Sequence, residues 1–134
     1  MKVVLDTNVL LVSISSRSPF HWVLKCLEKG DYTICFTHDI LEEYEEIVGK
    51  HLGSTVAKEL ISGLLQLPNH EQVEKYYFWN LIAQDPDDNK FVDCAVACNA
   101  NCIVTEDKHF RILADIPFPA VKAIGVVEFR EMLA

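Results

Sequence analysis

Two stretches set carboxylates directly after apolar runs. Val3-Val4-Leu5 leads into Asp6-Thr7-Asn8, and Ile103-Val104-Thr105 leads into Glu106-Asp107. Short unbroken apolar runs of this kind read as strands buried on both faces. An acid at the C-terminal end of such a strand falls at the rim of a parallel sheet, where open α/β folds collect their ligands. Neighbouring strands lie about 4.8 Å apart, so Asp6 and Asp107 would stand side by side if the two strands are adjacent. Carboxylates that close repel, and one is pushed towards protonation unless a cation lies between them. Hard divalent ions such as Mg2+ and Mn2+ seek such oxygen ligands. Taken alone, Asp6 serves equally well as the N-cap of the helix that follows it.

Further acids sit on two helical patterns. Glu42, Glu43, Glu45 and Glu46 accompany a buried stripe of Ile40, Leu41, Tyr44, Ile47 and Val48. At about 100° per residue, Glu42 and Glu46 lie nearly opposite that stripe. Glu43 and Glu45 lie on its two borders, and only a border carboxylate can reach a cleft at the sheet rim. In the second pattern Phe91, Val92, Ala95 and Val96 face the core and Asp88 points with them at the helix start, where the dipole favours an acid. An N-cap is the alternative role for Asp88. Asp93 falls on the far side of this wheel and reads as a surface acid, while Asp85 and Asp87 read as solvated loop residues.

The elements that must position these groups alternate along the chain. Strands are expected at residues 2–5, 32–36, 73–76, 102–105 and 121–124. Helices are expected after Asp6, over 20–29 up to Gly30, from the cap chemistry of 37–39 to about 50, over 54–67, over 88–99, over 108–113 and over 127–133. Alternation of this kind implies βαβ units with right-handed crossovers, and hence a three-layer α/β/α sandwich around a central, mostly parallel sheet. At 134 residues the chain reads as a single domain, residues 1–134. Half of it is hydrophobic and 24% is charged, which excludes disorder. No apolar run approaches the roughly 20 residues of a membrane span, and Asp6 interrupts any signal-peptide core, so the expected location is cytoplasmic. Five cysteines cannot all pair internally. They read as free, buried thiols without structural zinc, because no CxxC motif is present. The net charge of −8 argues against a simple nucleic-acid binding module, but not against an enzyme whose acids hold metal ions.

Four motifs in order carry a resemblance: Leu-Asp-Thr-Asn after the first strand, Ile-Leu-Glu-Glu-Tyr in the third helix, Asp-Pro-Asp-Asp-Asn-Lys-Phe opening a helix, and Ile-Val-Thr-Glu-Asp after a strand. Together they resemble the PIN domain family over nearly the whole chain, and most closely its branch of toxin–antitoxin toxins. The resemblance implies a metal-dependent ribonuclease, typically with two Mg2+ or Mn2+ ions, acting on RNA and paired with an antitoxin protein. It carries over Asp6, Glu43, Asp88 and Asp107 as the acids and so chooses Glu43 over Glu45. Asn8 and Thr105 match supporting polar positions. Asp93 matches a position where this branch often carries an acid, against the wheel, and is a further metal-ligand candidate. Glu106 replaces a small residue and adds negative charge beside the site.

The chemistry fits the residue set. Two metals about 4 Å apart can activate a water and stabilise the leaving oxygen of a phosphodiester, with no need for a His or Cys nucleophile. Two divalent ions would also neutralise the four acids. RNA positioning would fall to Arg17, Lys90, Lys108, His109 and Arg111. A receiver domain would need paired acids after the first strand, and a haloacid dehalogenase-type phosphatase a second Asp where Asn8 stands. The stronger alternative is a non-catalytic PIN-like fold that binds protein or RNA. The apolar excess of Phe20, Trp22, Tyr77, Phe78 and Trp79 further suggests a homodimer.

Overall fold

The unbroken apolar runs become strands in the computed structural model, which describes residues 1–134. In chain order the elements are β1 (Lys2–Leu5), α1 (Thr7–Ser13), α2 (His21–Lys29), β2 (Thr33–Phe36), α3 (His38–Leu52), α4 (Ser54–Gln66), β3 (His70–Gln72), α5 (Asn89–Cys98), β4 (Cys102–Val104), β5 (Ala123–Ile124) and α6 (Val126–Leu133). Short 3-10 helices lie at Pro86–Asp88 and Lys108–Asp115. α2 stops where Gly30 takes φ 84° and returns its N–H to the carbonyls of Cys26 and Leu27, a left-handed closure that glycine adopts without steric cost.

All five strands are parallel, in the order β3-β2-β1-β4-β5. The chain winds outward from β1 to β3 and then crosses to β4 on the other side of β1. Helices cover the sheet to give the three-layer α/β/α sandwich. Val3, Val4, Leu5, Ile34, Phe36, Ile103 and Val104 are fully buried, as residues between two helical layers must be. Each such side chain contributes about 1.5–3 kcal/mol of burial. The reversal of direction opens a crevice between the C-terminal ends of β1 and β4. Leu5 is in register with Val104, and the Asp6 N–H continues the ladder to the Val104 carbonyl at 3.0 Å.

Two strands depart from expectation. β3 lies at His70–Gln72 rather than at 73–76, and pairs with Ile34–Phe36 of β2. The β-prone residues Val73, Tyr76 and Tyr77 follow the strand instead of forming it. Pairing decides here over propensity: the Asn69 side-chain amide donates to the carbonyls of Leu27 (2.9 Å) and Tyr32 (2.7 Å), which fixes where the chain enters the sheet. The His70 ring then stacks on Phe36 at 5.8 Å. β5 is confined to Ala123–Ile124, shorter than the 121–124 expected, because these residues alone are in register with β4, while Lys122 contributes only its carbonyl to the Ile103 N–H.

All five cysteines are free; Cys35, Cys94, Cys98 and Cys102 are buried, whereas Cys26 is half-buried, contrary to expectation. Its position on the outer part of amphipathic α2 explains the difference. Phe20 and Trp22 pack against the core, with the Trp22 ring 5.8 Å from Phe129. The chain itself thus uses part of the apolar excess, while Tyr76, Tyr77 and Phe78 remain exposed. No helix is long and apolar enough to cross a membrane.

Tyr44, fully buried on α3, donates its hydroxyl to the Leu5 carbonyl at 2.5 Å. It ties α3 to the end of β1, one residue before Asp6. Tyr44→Phe leaves that buried acceptor without its donor, and should cost about 1–3 kcal/mol. The check is a urea titration: the midpoint should fall at unchanged slope, and an unaltered midpoint would contradict the assignment.

Candidate metal centre

Because Leu5 and Val104 are in register, Asp6 and Thr105 adjoin at the crevice. The Thr105 hydroxyl donates to Asp6 Oδ2 at 2.7 Å and accepts the Asp107 N–H at 3.0 Å. One buried threonine therefore orients both strand-end acids. The Asp6 side chain makes no capping bond to α1, so the N-cap role is not the one its carboxylate takes. Asp107 Oδ1 accepts the His109 N–H at 2.9 Å, which starts the 3-10 segment and turns His109 back over the acids. Its Nδ1 lies 3.4 Å from Asp107 Oδ1 and 3.9 Å from Asp88 Oδ2.

Asp88 stands just before α5 and makes no capping bond. Its carboxylate turns into the crevice instead. The 3-10 helix Pro86–Asp88 brings Asp85 beside it, since residues three apart eclipse in that geometry. Asp85, Asp88, Asp107 and His109 each offer a ligand atom, all within 4.8 Å of one another. Asp88 Oδ2 and His109 Nδ1 are buried without a hydrogen-bond partner. Orphaned polar atoms of this kind carry a desolvation cost, and a cation between them would relieve it. The three carboxylates suit a hard ion such as Mg2+ or Mn2+, whereas the imidazole is a softer donor foreign to the all-oxygen shell of Mg2+.

Glu43 reaches the rim from α3, as a border position should, while Glu45 is exposed. Glu43 Oε2 takes the Thr7 hydroxyl, and Oε1 takes the Lys90 ammonium at 2.5 Å. Burial works against the charge of Lys90, but Glu43 and Asp87 more than offset it and hold its pKa above the ordinary lysine value. Burial raises the pKa of Asp6, aided by the charges of Asp107 and Glu43, and the Thr105 hydroxyl and the nearby Thr7 backbone N–H only partly counter it. Asp88 is pushed up to about 7, first by burial and then by the carboxylates of Asp85, Asp107 and Asp6.

Two readings of the sequence need correction. Asp93 is buried, not a surface acid; the segment between β3 and α5 packs over its side of the helix, and Asp93 Oδ1 accepts the Trp79 N–H at 3.1 Å. It lines the same cleft as Glu43 and Lys90 but stands outside the four-residue cluster. Asp85 is not merely solvated, for the reason just given. Glu106 lines the hollow beside Asp107 with its negative charge, as expected, and its carboxylate also accepts the Val126 N–H at 2.8 Å at the start of α6. Of the other candidates, Asn8 and Arg17 are exposed. Lys108 and Arg111 are also exposed and flank Asp107 along a shallow hollow. The ligand-capable role of Asp85 and of the His109 ring, and the support of Glu43 by Thr7, escaped sequence reasoning; the Asp-Pro-Asp-Asp turn was the available signal for Asp85.

Residues 2–109 match a family model described as the PIN domain. No curated protein matches the sequence. Among solved structures, the crystal structure of VapBC2 from Rickettsia felis bound to a DNA fragment from their promoter contains a chain similar to this one. The TM-score is 0.63 at 19% sequence identity, over 93% of this chain and 98% of that one. At that identity the likeness is one of fold.

Asp6 and Asp88 titrate above the value of about 3.9 expected in an unfolded chain. As pH rises from about 4 to about 7, the folded protein therefore retains protons that the unfolded chain has released, and stability falls through that window. With a chelator present, Tm should decline between about pH 5 and 7 and flatten beyond. Asp88→Asn should remove much of the decline and raise Tm at the alkaline end. Parallel curves for the wild type and the variant would contradict the assignment.

Proposed function

The chain belongs to the PIN domain family, and from that premise we propose that it is a Mg2+- or Mn2+-dependent endoribonuclease, working in the cytoplasm as the toxin of a toxin–antitoxin pair. The observation that carries this reading is the buried, partnerless Asp88 Oδ2, set within reach of Asp85, Asp107 and His109 at the sheet's crevice. Asp6, Glu43, Asp88 and Asp107 are the acids assigned to the reaction. A divalent ion at this rim would be held by Asp88 and Asp107, with Asp85 and His109 in reach, and would supply an acidic water as nucleophile and a counter-charge for the leaving oxygen.

The chain's own residues do the rest. Thr105 locks Asp6 and Asp107 in relative orientation, which is the usual task of groups behind metal ligands. Thr7 and Lys90 hold Glu43. Lys108 and Arg111 flank Asp107, with His109 beside them, and these two cations can attract a phosphodiester that the net charge of −8 would otherwise repel. Arg17 is kept as a more distant substrate contact. Asp93 is kept as a secondary ligand, beside its observed bond to Trp79. The acidity also suits a basic partner protein. The similar VapBC2 structure was determined with a promoter DNA fragment, and an antitoxin for this chain is proposed on that analogy.

Unstructured RNA incubated with Mg2+, Mn2+ or chelator is the test. Wild type should cleave only with a divalent ion. Asp6→Asn should abolish cleavage while circular dichroism stays unchanged, and Glu45→Gln should cleave normally. Thr105→Val, which removes the orienting hydroxyl, should lose about 10–100-fold. Asp93→Asn keeps an acceptor for Trp79 and should lose less than Asp6→Asn. If wild type left several RNAs intact with either metal, the nuclease reading would be abandoned.

A further inference from the structure

Glu43 lines a cleft with Lys90, and Asp88 belongs to the acid–imidazole cluster, yet the two carboxylates are partnered in opposite ways. Both oxygens of Glu43 are engaged, Oε1 by Lys90 and Oε2 by Thr7. Asp88 Oδ2 has no partner. On the reading of an acidic metal centre, we propose that Lys90 stands in the place of a second cation, so that the centre takes a single divalent ion at Asp88 and Asp107 while Lys90 remains on Glu43.

The placement of Lys90 supports this. Its Nζ lies 2.5 Å from Glu43 Oε1 and 3.0 Å from Asp87 Oδ1, and its side chain is only 12% exposed. The ammonium also lies 5.8 Å from the centroid of the Phe91 ring. Lys90 is on the first turn of α5, two residues after Asp88, so one turn of helix supplies both a bare carboxylate and a resident positive charge. In a two-ion centre the ions stand about 4 Å apart and each needs carboxylate oxygens. A second ion could bind Glu43 only by expelling an ammonium already bonded to two carboxylates, or by lying against it as a like charge. A lysine ammonium is a compact point charge, able to balance Glu43 without the octahedral shell that Mg2+ demands. Glu43 is then a positioning residue that holds Lys90 at the crevice.

The experiment counts ions on the metal-free full chain, without RNA. Mn2+ is titrated in and the free ion is followed by electron paramagnetic resonance, with calorimetry alongside. Wild type should bind a single ion per chain. Lys90→Met should bind a second, weaker ion, Lys90→Arg should stay at one, and Asp88→Asn should lose the tight ion. Wild type binding two ions or none would overturn the proposal, as would a folded Lys90→Met that matches wild type. Should Lys90→Met not fold, the wild-type and Lys90→Arg counts decide. RNA cleavage, measured separately, keeps the two readings apart. Cleavage with two bound ions rejects the lysine assignment and preserves the nuclease, whereas one bound ion without cleavage does the reverse.

Discussion

Register between β1 and β4 is the constraint from which the crevice follows. Pairing Leu5 with Val104 leaves Asp6 and Thr105 as the next residues beyond the ladder, at strand spacing and on the same edge. No side-chain rotamer could bring them together had the register slipped by one, because alternate residues point to opposite faces. The bond from Thr105 to Asp6 and the bond from Asp107 to Thr105 are therefore consequences of strand pairing. The apolar residues that fix this pairing are the most deeply buried in the molecule, so the geometry of the acids is secured by the part of the fold least free to move.

The same geometry is electrostatically unfavourable. Burial and mutual repulsion raise Asp6 and Asp88, and no cation of the chain is bonded to Asp88 Oδ2. Folded proteins seldom leave a buried carboxylate in that state, and where they do the site is often functional. The repulsion is relieved unevenly. Lys90 and Thr7 answer Glu43, Thr105 answers Asp6, and Asp88 Oδ2 is left without a partner. On the proposed reading of a metal centre, an ion would favour that end, which gains most from a positive charge.

How much of this was legible in the sequence depended on whether the determining contacts were local. β1, β2 and β4 were readable because strands buried on both faces leave unbroken apolar runs. Glu43 and Glu45 were separable from Glu42 and Glu46 because one helix face sets the wheel; the family pattern then selected between the two, and their exposure agrees with it. Asp93 was misread for the same reason: the wheel assumes that a helix is covered on one side only, and α5 is covered on two. β3 was displaced because an edge strand is chosen by its partner and by Asn69, neither of which propensity registers. The capping of α6 by Glu106 links residues 20 apart, beyond any local pattern.

The segment that hides Asp93 also explains why α5 can carry so much of the centre. Asn89, buried, exchanges two hydrogen bonds with the backbone N–H and carbonyl of Ile82, each at 2.9 Å. Asp93, one turn further on, holds the Trp79 N–H. Two inward polar side chains thus clamp the incoming segment to the start of the helix. Between and beside them, Asp88 and Lys90 project towards the crevice from a turn whose own backbone is pinned. A buried side-chain bond typically contributes about 0.5–1.5 kcal/mol, so the clamp can offset part of the strain of holding Asp88 beside Asp85 and Asp107. Tyr76, Tyr77 and Phe78 precede the first of these bonds, at Trp79, and remain exposed.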